Sequence, residues 1–418
     1  MVEQRLRFAL EYSSGWYGMA ELCRCYEISR ETGYKWWKRF QESGAAGLED
    51  ESRAPLRHPN QMAAEMEAAL LELRRKYPRW GPKKLRGHLE LQRKEVQWPV
   101  LSTIGALLKR EGLAVARKQR RRVPPYTQPL AAADEPNKVW CGDFKGWFKT
   151  RDGERIDPLT LTDACSRYLL RCQTVEKTDT VRVRAIMEAA LREFGLPGAL
   201  LTDNGPPFAS RAIAGLSPLA VYLMKLDIVP MRIQAGHPEQ NGRHERMHRT
   251  LKAETVEHPA ANRRDQQRAF DRFRQEYNEV RPHEALGQQT PASRYHGSAR
   301  EYPARLPEPE YDSGMEVRKV RERGQFSWKG HRDIFLTETL SGERIGLQRV
   351  DDRYWQIYFC KFPIGRFDSY QLSVGALPQE PRRTGGAENI EEGGANDGNR
   401  EEHAIPTFAP PTAAPSLE

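Results

Sequence analysis

The sequence predicts a multidomain fold: two all-α domains, a mixed α/β domain, a small β-barrel and a disordered tail. The chain has 418 residues, which is too many for one ordinary domain. Hydrophobic residues recur with the helix period over the first quarter of the chain. Strand-like runs alternate with helical patterns from about residue 137, and short strands with turns follow from about residue 315. The predicted domains are residues 1–57, 58–125, 130–300, 312–375 and 376–418.

The first domain is predicted from the segment MAELCRCYEISRETGYKWWKRFQESGAAGL. One helix ends near Tyr26, a short turn follows, and a second helix runs from Arg30 to Glu42. This is the helix-turn-helix pattern, in which the second helix enters the DNA major groove, although any three-helix bundle could match it. We expect a core of Leu22, Ile28, Tyr34, Trp37 and Phe40. We expect Arg30, Glu31, Lys35, Lys38 and Arg39 to face outward, the four cations as candidate DNA contacts.

The second domain repeats the pattern with three amphipathic helices over residues 62–115. Pro82 suits the first turn of the second helix. The basic run ARKQRRRVPP that follows could be a solvated charge run. Beside two helix-turn-helix candidates, however, it favours a linker that grips DNA phosphates. The candidate DNA contacts in this domain and linker are Lys83, Lys84, Arg117, Lys118, Arg120, Arg121 and Arg122.

The central domain is predicted from the order of its elements. Three strand-like runs come first, and we expect them to be antiparallel; helix, strand, helix, strand and helix follow. This is the order of an RNase-H-like α/β domain. Turns near residues 330, 341 and 351 then separate short strands, which predicts the β-barrel. The last segment is rich in Pro, Gly, Asn and Glu, which is typical of disorder.

Bulk composition narrows the function classes. The net charge is +9 and the pI about 9.2, which suits a nucleic-acid partner, although a merely basic soluble protein would look the same. None of the six cysteines forms a Cys-x-x-Cys pair, and we expect no zinc-spaced His/Cys cluster and reduced thiols. Without a signal-peptide core or long apolar run, we expect a cytoplasmic protein with no membrane contact.

Three carboxylates are candidates for one catalytic site. Asp143 lies in the first strand, Asp203 follows a short buried strand, and Glu245 lies in the first turns of a helix. Each also has a simpler explanation. Asp143 could be a solvated charge at a strand edge, Asp203 could belong to an Asp-Asn-Gly turn, and Glu245 could form a helix ion pair with Arg249. Together, in this order on this pattern, they favour catalysis, because phosphodiester attack needs hard oxygen ligands for two divalent ions.

The helix in HPEQNGRHERMHRTLKAE distinguishes its three glutamates. At about 100° per residue, Met247 and Leu251 face a core and Glu254 lies beside Met247. Glu245 lies roughly opposite, on a face that it shares with Asn241, Arg249 and Lys252. Glu239 precedes the helix. Asp163, in LTDACSR, is the main rival ligand, and we expect it to be structural or to support the site indirectly.

These motifs resemble the integrase core of insertion-sequence transposases in the retroviral-integrase superfamily, over about residues 137–295. The resemblance extends to single-reading-frame bacterial members with helix-turn-helix units upstream of the core. It is carried by WCGDFKGW, LTDACSRYL, TDNGPPF, HPEQNGRHERMHRTLKAE and YNEVRPHEALGQQTPASRY.

The resemblance implies an Asp-Asp-Glu triad at Asp143, Asp203 and Glu245, which would hold two Mg²⁺ ions, with Mn²⁺ able to substitute. It implies binding of terminal inverted repeats by residues 1–125, 3′-end cleavage and strand transfer into target DNA. It further implies a homo-oligomer that bridges two DNA ends in the bacterial nucleoid. Asn241, Arg249 and Lys252 would be DNA contacts near the active site.

The sequence departs from this family in two places. The spacing between Asp203 and Glu245 exceeds the shortest family spacing, and ASRAIAGLSPLAV is expected to hold the extra residues. The zinc module of retroviral integrases is missing, so we expect DNA-end recognition to depend on the helix-turn-helix units. Two alternatives remain: a catalytically silent DNA-binding regulator derived from a transposase, against which the intact triad argues, and a ribonuclease H, against which the upstream DNA-reading modules argue.

Overall fold

The structure is a computed structural model that describes residues 2–50, 62–114, 133–234, 240 and 242–377. Its contacts form two compact units, Met1–Ala64 and Glu65–Glu418. The expected basic linker with Arg117, Lys118, Arg120, Arg121 and Arg122, the expected disordered tail beyond residue 377, and the residues Glu239 and Asn241 lie outside the described residues. Within the described residues, no helix combines the length and apolar character needed to cross a bilayer.

The first unit contains the predicted helix-turn-helix. Its helices are α1 (Val2–Ser13), α2 (Met19–Cys25) and α3 (Arg30–Ser43). Ser29 caps α3, since its side chain accepts a hydrogen bond from the Thr32 backbone N–H at 3.1 Å. The predicted turn and the start of the second helix are therefore confirmed.

One predicted core residue of this unit is wrong. Tyr34 is 54% exposed, because Gly33 occupies the centre of the inward face of α3. A Cβ atom on Gly33 would lie only 2.5 Å from the Cys23 Sγ, so the helix approaches α2 closely there. Tyr34 is rotated by about 100° from that contact. The core instead centres on Phe8, which is 0% exposed and packs edge-on against Tyr26 and Trp36.

Three further helices follow: α4 (Ala64–Lys76), α5 (Pro82–Gln92) and α6 (Leu101–Arg110). Pro82 occupies the first turn of α5, as expected. In the second unit, α5 packs against the segment that ends the α/β domain. The His88 Nδ1 lies 3.1 Å from the Val280 carbonyl oxygen, and Lys83 pairs with Glu284 at 2.5 Å.

The α/β domain has the predicted element order. Its strands are β1 (Val139–Phe144), β2 (Phe148–Lys149), β3 (Arg155–Asp163), β4 (Leu169–Val175), β5 (Ala199–Thr202) and β6 (Val229–Arg232). They form a six-stranded sheet with the main order β4, β3, β1, β5, β6, in which the short strand β2 also pairs with β3. The strand β1 is antiparallel to β3 and parallel to β5.

Helices cover both faces of this sheet. On one face, Leu161 of β3 packs in a cluster with Met187 and Leu223. On the other, Cys172 of β4 packs with Leu251 and Phe270. The first face is covered by α7 (Thr180–Phe194) and α8 (Pro218–Lys225), the second by α9 (Gly242–Leu251) and α10 (Arg263–Gln275).

The C-terminal region is β-structured, but the described residues do not form the expected closed barrel. They form an open five-stranded antiparallel sheet, ordered β13-β12-β11-β10-β7, and a separate β8-β9 hairpin. Both contribute to one core, where Trp328 of the hairpin lies 4.7 Å from Trp355 and 5.3 Å from Phe367. The strands are β7 (Glu316–Lys319), β8 (Gln325–Trp328), β9 (His331–Phe335), β10 (Arg344–Arg349), β11 (Tyr354–Phe359), β12 (Phe362–Asp368) and β13 (Ser373–Gly375).

The long segment between β5 and β6 carries this β region. Leu216 and Met224 belong to the same hydrophobic cluster as the C-terminal strands, and Ile213 packs against it. At the edge of this contact, Lys225 pairs with Glu343 at 2.7 Å. The segment ASRAIAGLSPLAV, which the sequence predicted to hold the extra residues, therefore packs against the C-terminal sheets.

We predict that Phe8→Ala destabilises the N-terminal unit by about 3–5 kcal/mol, because it removes a fully buried ring and its two edge-on contacts. Urea unfolding of the chain, followed by tryptophan fluorescence, measures the change. Leu10→Ala on the same helix is the control, since Leu10 is 53% exposed. A loss below about 1 kcal/mol in Phe8→Ala would contradict the prediction.

Candidate active site

Strand register brings the first two carboxylates together. Cys141 of β1 pairs with Leu201 of the parallel neighbour β5, so Asp143 and Asp203, each two residues further on, lie at the same level. Parallel neighbours are about 4.8 Å apart, and residues two apart share a face. Cys141 and Leu201 lie in one cluster, so Asp143 and Asp203 extend that same face of the sheet.

The loop after Asp203 is held close to Asp143. Phe208 packs against Phe144, the neighbour of Asp143, with ring centroids 5.6 Å apart. The Gly205 backbone N–H donates to the Asp203 Oδ1 at 3.2 Å. Burial raises the pKa of the Asp203 carboxyl, so its ionised form gains from a nearby cation.

The helix α9 lies over this face and has the predicted orientation. Met247 and Leu251 are buried, whereas Glu245, Arg249 and Lys252 are exposed.

One edge of α9 points to Asp143. The His248 Nδ1 lies 3.8 Å from the Asp143 Oδ2. Residues three apart on a helix are neighbours, with Cβ atoms about 5–6 Å apart, so Glu245 lies beside His248 on that edge. The three predicted triad residues therefore occupy elements that converge at one end of β1 and β5.

The other carboxylates have structural roles. Asp163 is fully buried and accepts hydrogen bonds from the backbone N–H groups of Asn137 and Ser166 and from the Ser166 hydroxyl. Glu254 accepts from Arg281 at 3.0 Å on the packed side of the chain. Both residues are engaged in contacts within the fold, whereas Glu245 is exposed on α9.

A buried polar cluster adjoins Asp143, which we call the threonine–histidine cluster: Thr160, Thr162, His244 and His248. The Thr160 Oγ1 donates to the Asp143 backbone carbonyl at 3.0 Å. The same oxygen lies 2.6 Å from the His244 Nε2 and 2.7 Å from the His248 Nε2. The Thr162 Oγ1 lies 2.9 Å from the His244 Nδ1. This cluster links β3, β1 and α9.

Two histidines that the expectation of no zinc-spaced His/Cys cluster left out lie close to Asp143. His244 and His248 are four residues apart on α9, and one ligand atom of each lies within 4.8 Å of the other and of an Asp143 carboxylate oxygen. The signal was present in the sequence as HERMH, since two histidines at i and i+4 share a helix face. Burial lowers the pKa of His244 to about 3 and that of His248 to about 2, so both imidazoles are neutral at pH 7.

The candidate DNA contacts fall into separate groups. Arg30, Lys35 and Lys38 are exposed on α3, and Arg39 is half-buried there. Lys83 is exposed but paired with Glu284, and Lys84 is half-buried. Beside the triad, Arg249 and Lys252 are exposed, and Lys145 lies close enough to lower the pKa of His248 further. Lys145 was missed in the sequence because its place beside α9 depends on the fold.

Comparison with known proteins identifies these regions. Residues 133–238 and 226–291 match the Integrase core domain, residues 4–55 a Helix-turn-helix domain, and residues 32–108 a Homeodomain-like domain. The Insertion element IS407 uncharacterized 31.7 kDa protein of Burkholderia multivorans is 30% identical over 237 residues, which cover 56% of this chain and 81% of that protein. The chain belongs to the insertion-element transposases of the integrase superfamily.

Other members of this transposase family match less of the chain or at lower identity. The Insertion element IS476 uncharacterized 39.2 kDa protein of Xanthomonas euvesicatoria is 27% identical over 258 residues, covering 60% of this chain and 72% of that protein. The Putative transposase InsD for insertion element IS2E of Escherichia coli is 27% identical over 197 residues, covering 44% of this chain and 86% of that protein.

We predict that Thr160→Val destabilises the transposase by about 1–3 kcal/mol or more, because it leaves buried polar groups of Asp143, His244 and His248 without their shared partner. Thr160→Ser keeps the hydroxyl and should retain most of that stability. Urea unfolding measures both, with Thr174→Val, a half-buried threonine on β4, as the control. Equal stability of Thr160→Val and Thr160→Ser would contradict the role of the hydroxyl.

The neutral buried histidines predict a pH dependence. Because the folded pKa of His244 lies far below its unfolded value of about 6.5, acidification protonates the unfolded chain first and stability falls below about pH 6.5. His244→Asn should reduce the slope of the unfolding free energy against pH by about 1.4 kcal/mol per pH unit between pH 5.5 and 4.5. This is the slope expected when unfolding is coupled to the uptake of one proton. Urea unfolding in EDTA measures it, with the exposed His258→Asn as the control; an unchanged slope in His244→Asn would overturn it.

Proposed function

We propose that this transposase binds the terminal inverted repeats of its element and catalyses metal-dependent 3′-end cleavage and strand transfer into target DNA. The observation that carries the proposal is the parallel pairing of Cys141 with Leu201, two residues before Asp143 and Asp203, in the sheet against which the helix that bears Glu245 packs. Strand-borne and helix-borne carboxylates at one sheet edge supply the oxygen ligands that phosphodiester chemistry with divalent ions requires.

The donor set fits divalent metal ions. Asp143 is half-buried, burial raises the pKa of Asp203, and Glu245 is exposed on α9, so a cation bound between them would offset the cost of bringing three carboxylate charges together. Asp143 and Asp203 would hold the ions with Glu245 completing the set. Two Mg²⁺ ions, replaceable by Mn²⁺, would activate the attacking oxygen and stabilise the leaving one.

The protein's own residues position the DNA. Arg249 lies one turn beyond Glu245 on α9 and Lys252 one turn further, both exposed, and they would hold the phosphates that flank the scissile bond. Asn241 would contact the flanking DNA. In this scheme a water oxygen would attack the phosphorus at the element end and the P–O3′ bond would break, which leaves a 3′-hydroxyl on one side and a 5′-phosphate on the other. That hydroxyl would then attack a target phosphodiester, whose own 3′ oxygen would leave as a hydroxyl. The protein forms no covalent bond to DNA in this scheme.

End recognition is assigned to the helical domains. Arg30, Lys35 and Lys38 extend from α3, the second helix of the helix-turn-helix, which is the element that enters the major groove in such domains. The cations of residues 117–122 would grip the backbone, and Lys83 would need to exchange Glu284 for a phosphate. The active form would be a homo-oligomer that bridges two element ends on nucleoid DNA in the bacterial cytoplasm.

We predict that Asp143→Asn, Asp203→Asn and Glu245→Gln each lower cleavage of terminal-repeat DNA in Mg²⁺ or Mn²⁺ by at least about 10³-fold. DNA-end binding should stay within about threefold of wild type, since the helical domains are intact. Labelled element ends measure cleavage, and gel shifts measure binding. Glu257→Gln is the control, because Glu257 is exposed and only pairs with Arg79 at the surface.

Two results would contradict the proposal. Full cleavage by any triad variant would remove the assigned chemistry from these carboxylates. Tight end binding by the wild-type chain without cleavage in either metal would favour the catalytically silent DNA-binding regulator. Preferential cutting of an RNA–DNA hybrid would favour a ribonuclease H.

A further inference from the structure

The hydrogen bonds of the threonine–histidine cluster determine the tautomer of His248. A threonine hydroxyl has one proton to donate and can accept two hydrogen bonds. The Thr160 hydroxyl must give its proton to the Asp143 backbone carbonyl at 3.0 Å, because a carbonyl only accepts. The Nε2 atoms of His244 and His248, at 2.6 and 2.7 Å from the same oxygen, must therefore both donate.

A neutral imidazole that is protonated on Nε2 has an unprotonated Nδ1. For His244, the Nδ1 accepts from the Thr162 hydroxyl at 2.9 Å, so both of its nitrogens are satisfied within the cluster. For His248, the Nδ1 lone pair instead faces the Asp143 Oδ2 at 3.8 Å. This nitrogen and this carboxylate oxygen belong to a group of three side chains, with His244, whose ligand atoms lie within 4.8 Å of one another, which is close enough to share one cation.

The separation of these two atoms suits one metal ion. Two ligands that each lie about 2.1 Å from a cation are at most about 4.2 Å apart, so the observed 3.8 Å is within the reach of a single ion. The other imidazole supports this arrangement: His244 packs edge-on against His248, with ring centroids 4.7 Å apart, and shares its Thr160 partner. Such outer contacts fix the ring orientation of a ligating histidine.

We propose that the His248 Nδ1 is a direct ligand, together with the Asp143 carboxylate, of one divalent cation at this site. The inference rests on the proposed function only in assigning a cation to Asp143. It adds a nitrogen donor to a site otherwise made of oxygens. Imidazole suits transition-metal ions such as Zn²⁺ better than Mg²⁺, so His248 shifts the ion preference of this site away from Mg²⁺ and toward the first-row transition metals, of which Mn²⁺ is the weakest binder.

The test uses Mn²⁺ bound to the full chain without DNA. Pulsed electron paramagnetic resonance detects the ¹⁴N modulation of an imidazole bound directly to Mn²⁺. We expect this modulation in the wild-type protein and in His258→Gln, an exposed-histidine control. In His248→Asn we expect its loss, with Mn²⁺ affinity weakened by at least about tenfold. Growth on ¹⁵N-histidine should convert the wild-type signal to ¹⁵N.

Four results would overturn the proposal: Mn²⁺ bound to wild type without imidazole modulation, modulation that persists in His248→Asn, modulation that persists in Asp143→Asn, or no Mn²⁺ binding at millimolar metal. If circular dichroism shows that His248→Asn is unfolded, His248→Gln takes its place. The outcome is separable from the proposed function. Mn²⁺-dependent cleavage without imidazole modulation would refute only this ligand, whereas modulation without any DNA cleavage would refute only the transposase chemistry.

Discussion

The rest of the candidate site depends on the central position of β1. This strand is hydrogen-bonded on both sides, antiparallel to β3 and parallel to β5. The parallel pairing sets Asp143 level with Asp203, and the antiparallel pairing sets Asp143 opposite Thr160. A shift of one residue in either register would turn one of these side chains to the opposite face of the sheet. The buried residues of β1, from Val139 to Cys141, make such a shift costly because they pack on both faces.

The helix α9 meets this strand through polar rather than only apolar contacts. Of its four buried residues, Met247 and Leu251 pack into a hydrophobic cluster, while His244 and His248 bond to Thr160 and Thr162. Desolvation of two imidazoles is unfavourable unless their nitrogens form hydrogen bonds. The helix can therefore pack on the sheet only in the register that provides those hydrogen-bond partners. These hydrogen bonds therefore fix the helix that carries Glu245 relative to β3, although Glu245 itself is exposed.

Short-range patterns in the sequence predicted what depends on local periodicity. Strand and turn patterns singled out Asp143 and Asp203 as candidates. The helix period predicted the outward face of Glu245, and the succession of periods predicted the order of strands and helices. The Thr160 contact does not, because it depends on the register between strands that are distant in sequence. The prediction that Tyr34 lies in the core was wrong for a related reason, because the close approach of two helices at Gly33 depends on how those helices pack. The predicted barrel closure is not shown by the described strands, and strand periodicity does not specify which edges pair.

Asp203 and Glu245 are 42 positions apart in the sequence, and part of the segment between them packs against the C-terminal sheets. Ile213 and Leu216 pack against that region, and the Thr339 hydroxyl donates to the Leu216 carbonyl at 3.4 Å. The adjacent Ser217 donates to the Phe208 carbonyl at 2.9 Å, and Phe208 packs against Phe144, which follows Asp143 in β1. A continuous series of contacts thus joins the C-terminal core to the loop that presents Asp203. Without the C-terminal sheets, the apolar side chains of this loop segment would face water, so the added length and the β region are mutually dependent parts of one folded unit.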